Sequence, residues 1–339
     1  MQQYNLCFND ILLLPHYSKL DSRTIPNTTT RIGSLELKTP IISAPMDSIT
    51  GKEMLVTMSK VGGLGILTRY INMPDDEELV RQVQEIVWAK KQGAKNVGCA
   101  IGIRGSIMQK IKAKSLLDAG CNVICIDVGH GDHQKMYRTI DAISILKNQY
   151  QFVLMAGNIC TSEAAIRFAN YGVDAIKVGV GPGSCCITRT TTGFGRPQLS
   201  AVQDAYLSVR DRFPKISIIC DGGIRSTGDM IKSFWAGADA VMLGYMLAGT
   251  SDTPKINGQR IIRGMSSRTV SGRPDIAPEG IEIEIEDRGE TEKVLYEYMK
   301  GIKAGLAMGG SKNIAELREN VTHVTVSPLS MEETMPKTC

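Results

Sequence analysis

The sequence predicts an α/β fold, a closed (β/α)8 barrel of the TIM type, on three observations. Short apolar runs that end in Gly, Asp or Asn recur eight times. Segments of helical periodicity lie between them. The runs lack the apolar–polar alternation of half-exposed strands, as expected of parallel strands covered on both faces. Eight such units in 339 residues fit a barrel that closes on itself; a doubly wound open sheet is the rival arrangement.

In chain order the runs are TPIISAPMD (39–47), GLGILTRY (63–70), NVGCAIG (96–102), NVICIDVGHG (122–131), FVLMAGN (152–158), VDAIKVGVG (173–181), SIICDGG (217–223) and ADAVMLGY (238–245). The clearest helical segments are 75–93, 106–120, 133–149, 161–172 and 226–237. Several open on Ser, Thr or Asp at a plausible N-cap and stop at Gly. Residues 250–300 break the repeat. They hold glycines, charges and an alternating GIEIEIE run, and are expected to leave the barrel top as an excursion. Segment 311–325 reads as a final helix with an extended tail. No Pro/Ser-rich linker divides the chain, so residues 1–339 are read as one domain.

Composition narrows the function classes. Hydrophobic residues make up 42% and aromatics 5%, so Ile, Leu, Val, Met and Ala must pack the core. The net charge of +4 is spread among mixed signs, which gives no reason to expect nucleic acid but suits a small anion. The nine cysteines include no paired C-x-x-C of metal-ligand spacing, and Cys121 and Cys125 in CNVICID read as strand residues. That usage fits reduced thiols in the cytoplasm. MQQYNLCFND opens no apolar leader, and no run of about 18 apolar residues exists, so no membrane partner is expected.

In such a barrel the chemistry sits on loops that follow the strands' C-terminal ends. Asp47, Arg69, Asp127, Asn158, the 181–189 loop and Asp221 each fall at or past the end of a run. Turn chemistry alone also favours Asp and Asn at such places. Gly181-Pro182-Gly183-Ser184, Asp221-Gly222-Gly223 and Gly244-Tyr245 follow runs six, seven and eight. Their glycines let backbone N–H groups approach a phosphate closely, although simple tight turns also use them. An Asp beside them would repel phosphate but could accept hydrogen bonds from a ribose diol. On the same loop stand Cys185 and Cys186, with Thr188 two residues beyond the second. A loop thiol beside backbone donors can serve as a nucleophile. Spacing does not say which cysteine is exposed, and two small residues filling a turn is the bland alternative.

The segment GPGSCCITRTTTGFGRPQLSAV closely resembles the catalytic loop of the inosine monophosphate dehydrogenase and guanosine monophosphate reductase family. FNDILLLP, SAPMDSITG, GLGILTRY, DGGI, VMLGYMLAG and RGMSS follow in the family's order along most of the chain. The resemblance implies a (β/α)8 barrel, usually a homotetramer, acting on a purine nucleoside monophosphate. It implies that Cys186 attacks C2 of the purine to form a covalent thioimidate. Thr188 and Glu279 would move protons, and Arg69 stands where the family's reductase has an active-site lysine. Asp221 would hold the ribose. Ser184, Gly222, Gly223, Gly244 and Tyr245 would surround the phosphate, and Gly264, Met265, Ser266 and Gly280 the base. Carbonyls of Gly181, Gly183 and Cys186 resemble a potassium site. Asp127, Gly129, His130 and Gly131 would meet the nicotinamide cofactor, and Ser22 and Arg23 resemble a stretch that reaches a neighbouring subunit's cofactor.

Two features point to the reductase, with NADPH as cofactor. The strands follow one another without the regulatory CBS insertion usual in the dehydrogenase, although some dehydrogenases also lack it. Between GMSS and PEG stands only RTVSGRPDIA, without the Arg-Tyr pair of the dehydrogenase's water-activating flap. Three features depart from the reductase: Arg69 for lysine, DVGHG after run four, and a shortened segment before PEG. A dehydrogenase lacking its regulatory module, a non-catalytic nucleotide-binding barrel and a flavin barrel are the alternatives.

Overall fold

A computed structural model describes residues 5–71, 73–330 and 333. Eight short strands follow the expected runs. They are β1 (Ile41–Ser43), β2 (Leu64–Leu67), β3 (Val97–Ile101), β4 (Val123–Asp127), β5 (Val153–Ile159), β6 (Ala175–Val178), β7 (Ser217–Asp221) and β8 (Ala240–Leu243). Each pairs in parallel with its sequence neighbours, and β8 returns to β1 with Val241 opposite Ile41 and Leu243 opposite Ser43. The barrel is closed, and the open-sheet alternative falls.

Burial on both faces explains the unalternating strands. Ile42, Leu64, Ile66, Val123, Met155, Ile219 and Met242 fill the barrel interior. A hairpin of Thr30–Ile32 and Leu35–Leu37 adds Ile32 and Leu37 to that interior cluster. The outward-facing residues of the strands join a second core with the surrounding helices, including Ile41, Leu67, Cys99, Ile124 and Val178. Aliphatic side chains and methionines dominate both cores, as the composition requires.

The helices that follow the strands are α1 (Lys52–Lys60), α2 (Asp75–Lys91), α3 (Ser106–Asp118), α4 (Gln134–Ser144), α5 (Ser162–Asn170), α6 (Gln198–Arg210), α7 (Thr227–Trp235) and α8 (Thr291–Met308). Five match the segments read from sequence. The other three, α1, α6 and α8, open after Gly51, Pro197 and Glu290 without a capping side chain, as α2 and α3 also do after Pro74 and Gly105. The excursion from the barrel is shorter than the 250–300 expected, because α8 rejoins the repeat at Thr291. Its alternating run supplies Glu282–Glu284, antiparallel to Ile261–Arg263. The closing helix is Ile314–Asn320, and the tail strand His323–Thr325 pairs with Ile11–Leu13 near the chain's start. Among the described residues no helix is long and apolar enough to cross a membrane.

Candidate active site

Loops at the C-terminal ends of the strands enclose a cleft of about 240 Å³. Most of the residues singled out from sequence line it: Arg69, Asp127, Gly129, Gly181, Gly183, Ser184, Cys186, Thr188, Asp221–Gly223, Gly244–Ser266 in part, and Glu279. A wider, shallower groove of about 850 Å³ lies beside α2. It contains none of the thiols, and the chemistry collects in the smaller cleft.

The cysteine loop is fixed by strand-like pairing with the far end of the excursion. Ile187 N–H donates to the Glu279 carbonyl at 2.9 Å, and Ile281 N–H to the Cys185 carbonyl at 2.9 Å. Gly264 N–H in turn donates to the Ile281 carbonyl at 3.0 Å, and Glu279 N–H to the Ser266 carbonyl at 3.1 Å. Gly280 thus sits between two strands of backbone, and a Cβ there would lie 3.0 Å from the Gly264 Cα. This zip brings Glu279, 91 residues distant, to Thr188.

The side chains form a short relay. Cys186 Sγ lies 3.1 Å from Thr188 Oγ1, which donates to Glu279 Oε2 at 2.6 Å. A thiol, a hydroxyl and a carboxylate in series can carry a proton away from sulfur and return it. The adjacent Cys185 is different. It is buried, its Sγ lies 3.8 Å from the Ile262 carbonyl, and burial, with the neighbouring Cys186, pushes its thiol up to about 11. Of the two thiols, Cys186 is the less buried and the one in line with Thr188 and Glu279, a distinction the spacing alone left open.

The floor of the cleft is charged. Lys177 on β6 is 1% exposed, with Nζ 2.5 Å from Asp127 Oδ1 and 3.0 Å from Asp221 Oδ2. Asn158 Nδ2 donates to Asp221 Oδ2 at 2.9 Å and to the Gly179 carbonyl at 2.7 Å. Burial works to raise the Asp127 carboxyl and to lower the Lys177 ammonium. Their mutual attraction, aided by Arg69 at Asp127 and Asp221 at Lys177, outweighs it, so the carboxyl sits low and the ammonium high. Two glycines allow this crowding. A Cβ at Gly157 would stand 2.5 Å from the Lys177 Cβ, and one at Gly179, whose φ is +152°, 2.0 Å from the Asp221 carbonyl. Sequence reading passed over Lys177. The available signal was one charge inside the apolar run VDAIKVGVG, because a buried charge must be paired.

Several expected residues lie elsewhere. Asp47 turns away to Arg263, with carboxylate and guanidinium 2.5 Å apart. His130 is exposed and outside the cleft lining, and Gly131 is buried behind it, its N–H bonded to the Asn158 carbonyl. Ser22 and Arg23 are exposed near α8, where Lys303 Nζ donates to the Thr24 carbonyl. Arg69, by contrast, lines the cleft and reaches over the end of β3: a Cβ at Gly102 would be 2.8 Å from its Nη1.

Residues 5–337 match the family model described as the IMP dehydrogenase / GMP reductase domain. The chain is 32% identical to the inosine-5'-monophosphate dehydrogenase of Cryptosporidium parvum, over 97% of this chain and 94% of that one. It is 27% identical to the enzyme of that name from Nitrosopumilus maritimus, over 98% of each. Among solved structures, a GMP reductase variant of Trypanosoma brucei in complex with guanosine 5'-monophosphate superposes with a TM-score of 0.87, at 24% identity, over 99% of this chain and 98% of that one. That likeness speaks for the fold.

Proposed function

Since the chain belongs to the IMP dehydrogenase / GMP reductase family of oxidoreductases, we propose that it reduces guanosine monophosphate to inosine monophosphate and ammonia. The observation that carries this reading is the Cys186–Thr188–Glu279 relay, opening onto a cleft rimmed by the three glycine turns. The Cys186 sulfur adds to C2 of the purine. Thr188 and Glu279 take up the thiol proton and hand it to the departing amino group, which leaves as ammonia. The carbon–nitrogen bond breaks as the carbon–sulfur bond is made, and a thioimidate remains. NADPH, when bound, supplies the hydride that adds to C2. The carbon–sulfur bond then breaks, its electron pair returns to Cys186, and the relay restores the thiol proton from water. The sum is GMP, NADPH and one proton giving IMP, NADP+ and ammonia.

The residues beside the relay suit a nicotinamide riboside. Asp127 offers a carboxylate to ribose hydroxyls, and at Gly129 an added Cβ meets nothing within 4 Å, so the backbone is open to a ligand. For potassium the fit is poorer. Gly183's carbonyl already accepts the Cys186 N–H at 3.0 Å, and the charged Arg189 packs against Gly181. Among the described residues no cluster of three His, Cys, Asp or Glu side chains supplements the loop. A homotetramer in the cytoplasm stays part of the proposal, with the exposed Ser22 and Arg23 directed to a second copy's cofactor.

The direction rests on residues 268–279. Their two arginines, Arg268 and Arg273, are exposed; Arg273 is bound to Asp275 at 2.6 Å, and no Arg-Tyr pair is present. The segment starts and ends side by side, with Ser267 bridged to Gly280. A reductase needs no residue here to activate water. The second reading is oxidation of inosine monophosphate with NAD, in which Thr188 and Glu279 would deprotonate water. It is favoured by the dehydrogenase of nearly equal span at 32% identity.

Two parallel assays separate them, each following the absorbance of the reduced nicotinamide. One contains guanosine monophosphate with NADPH, the other inosine monophosphate with NAD. We expect loss of absorbance in the first, with Cys186→Ala at least about 10⁴-fold slower, as for other removed nucleophiles. A rise in the second alone reverses the direction, and silence in both removes the enzyme reading.

A further inference from the structure

Lys177 has no role in the chemistry above, yet the barrel gives it an expensive place. Its ammonium has three donors. They face Asp127 Oδ1 at 2.5 Å, Asp221 Oδ2 at 3.0 Å and the sulfur of Met242 at 3.8 Å. None is left for a ligand, so Lys177 acts through its neighbours.

The pattern on those neighbours is asymmetric. Asp221 Oδ2 accepts from both Lys177 and Asn158, and Asp127 Oδ1 accepts from Lys177. The other oxygens, Asp221 Oδ1 and Asp127 Oδ2, accept no hydrogen bond from the described residues. Each carboxylate is therefore gripped by one oxygen from below and keeps the other for the cleft. We propose that Lys177 is a positioning residue that holds Asp221 and Asp127 together as two charged acceptors, one for the nucleotide ribose and one for the cofactor ribose. This rests on the reading given under Proposed function.

The charge count shows why a lysine is needed. Two carboxylates and one ammonium leave a net charge of −1. Without the ammonium the cluster carries −2 in a half-buried cleft, and each like charge there raises the other carboxyl's affinity for a proton. One carboxyl then takes up a proton and becomes a poorer acceptor for a ribose hydroxyl. The other groups facing the cluster do not replace Lys177. Arg69, from the end of β2, favours the charge on Asp127. Cys125, inside the barrel on β4, has its thiol pushed up to about 12 by burial and stays neutral. Asn158 is uncharged and already spent on Asp221 and Gly179.

The test is calorimetric titration of guanosine monophosphate and its 2′-deoxy analogue into wild type, Lys177→Met and Lys177→Met/Asp127→Asn. It is run at about pH 6 and about pH 8, either side of where a raised carboxyl would titrate. Wild type is expected to prefer the ribonucleotide and to bind it alike at both values. Lys177→Met should bind it about tenfold more weakly at the lower pH, lose the ribose preference there, and recover part of both at the higher pH. A structural role alone would give a loss that ignores pH. The double variant restores the net charge of −1 and should bind the ribonucleotide within about threefold of wild type, while NADPH binding stays weak.

An unchanged Lys177→Met overturns the inference, and so does a pH-independent loss. If Lys177→Met does not fold, the charge-matched double variant decides: folded and still more than about tenfold weaker, it overturns the inference as well. Wild type that binds neither guanosine nor inosine monophosphate removes the functional reading and this inference together. Wild type that binds with ribose preference, beside an indifferent Lys177→Met, removes the inference alone.

Discussion

Around the nucleophile, above the β6–β8 side of the barrel mouth, backbone bonded to backbone sets the site. On the β2–β4 side, side chains reaching in from the outer helices do that work. The first side consists of the cysteine loop, residues 264–267 and residues 279–281, joined by four N–H to carbonyl bonds of 2.9–3.1 Å. On the second side, Glu78 of α2 accepts the Tyr70 N–H at 3.2 Å, and Gln82 donates to the carbonyls of Thr68 and Ala100 at 2.8 and 3.1 Å. Gln109 of α3 accepts the Gly102 N–H at 3.2 Å. Asp132, after β4, is clamped by Arg167 and Tyr137. Backbone bonds survive a change of side chain; bonds made by side chains do not. The nucleophile's side should therefore keep its shape under point substitution, and the other side should yield one residue at a time.

The largest effect that probes this contrast is on the relay. Glu279→Gln removes the carboxylate that accepts from Thr188. The backbone of residue 279 keeps both its bonds, to Ile187 and Ser266. The turnover number should fall about 10²–10⁴-fold, the usual weight of a positioned acid–base group. Nucleotide affinity should change by less than about threefold, because the zip remains. Steady-state kinetics beside direct nucleotide titration measures both. If affinity falls along with turnover, this side is not set by its backbone and the contrast collapses.

A smaller effect is expected on the other side, and it should be one of stability. Lys112 of α3 and Glu78 are paired at 2.6 Å, with side chains 7% and 8% exposed. Glu78→Gln leaves the Lys112 ammonium buried without a counter-charge, which costs up to about 3–5 kcal/mol. For a chain of this size that lowers the melting temperature by roughly 4–7 °C. It also weakens the hold on Tyr70, next to Arg69, so the KM for cofactor should rise while nucleotide affinity stays. Adding Lys112→Met removes the stranded charge and should return most of the stability, but not the cofactor KM. Recovery of both would mean that Glu78 serves packing alone.

The difference between the two sides also explains what the sequence made legible. The eight strands were readable because burial on both faces leaves unbroken apolar runs, and the glycine turns because backbone must come close there. Cys186, Thr188 and Glu279 stood out through a motif whose residues lie in short stretches of chain. Lys177 did not: its meaning depends on Asp127 and Asp221, 50 and 44 residues away, which meet it when the barrel closes. Asp47 misled in the opposite sense. It has the right residue type at a strand's end, but Arg263, 216 residues on, captures it. The buttress of Glu78, Gln82 and Gln109 lies on helices whose other positions carry ordinary polar residues, so periodicity could not single those three out.

The smallest effect should come from the thiol beside the nucleophile. Cys185 contributes to the site through its backbone: its carbonyl receives the Ile281 N–H. Its side chain is 4% exposed and its thiol, pushed up to about 11, stays protonated at neutral pH. Cys185→Ala removes one buried sulfur and leaves the zip in place, so it should cost about 1 kcal/mol of stability and less than about a factor of two in turnover. Alkylation followed by peptide mass analysis gives the chemical counterpart. Near neutral pH, reagent should reach Cys186 and the exposed Cys7 well before Cys185, and guanosine monophosphate should protect Cys186 while leaving Cys7 open. Because the two neighbours share one loop, a general loosening would expose both. Modification confined to Cys186 would show that the loop is held while its nucleophile is presented, whereas a Cys185→Ala variant as inactive as Cys186→Ala would exchange their roles.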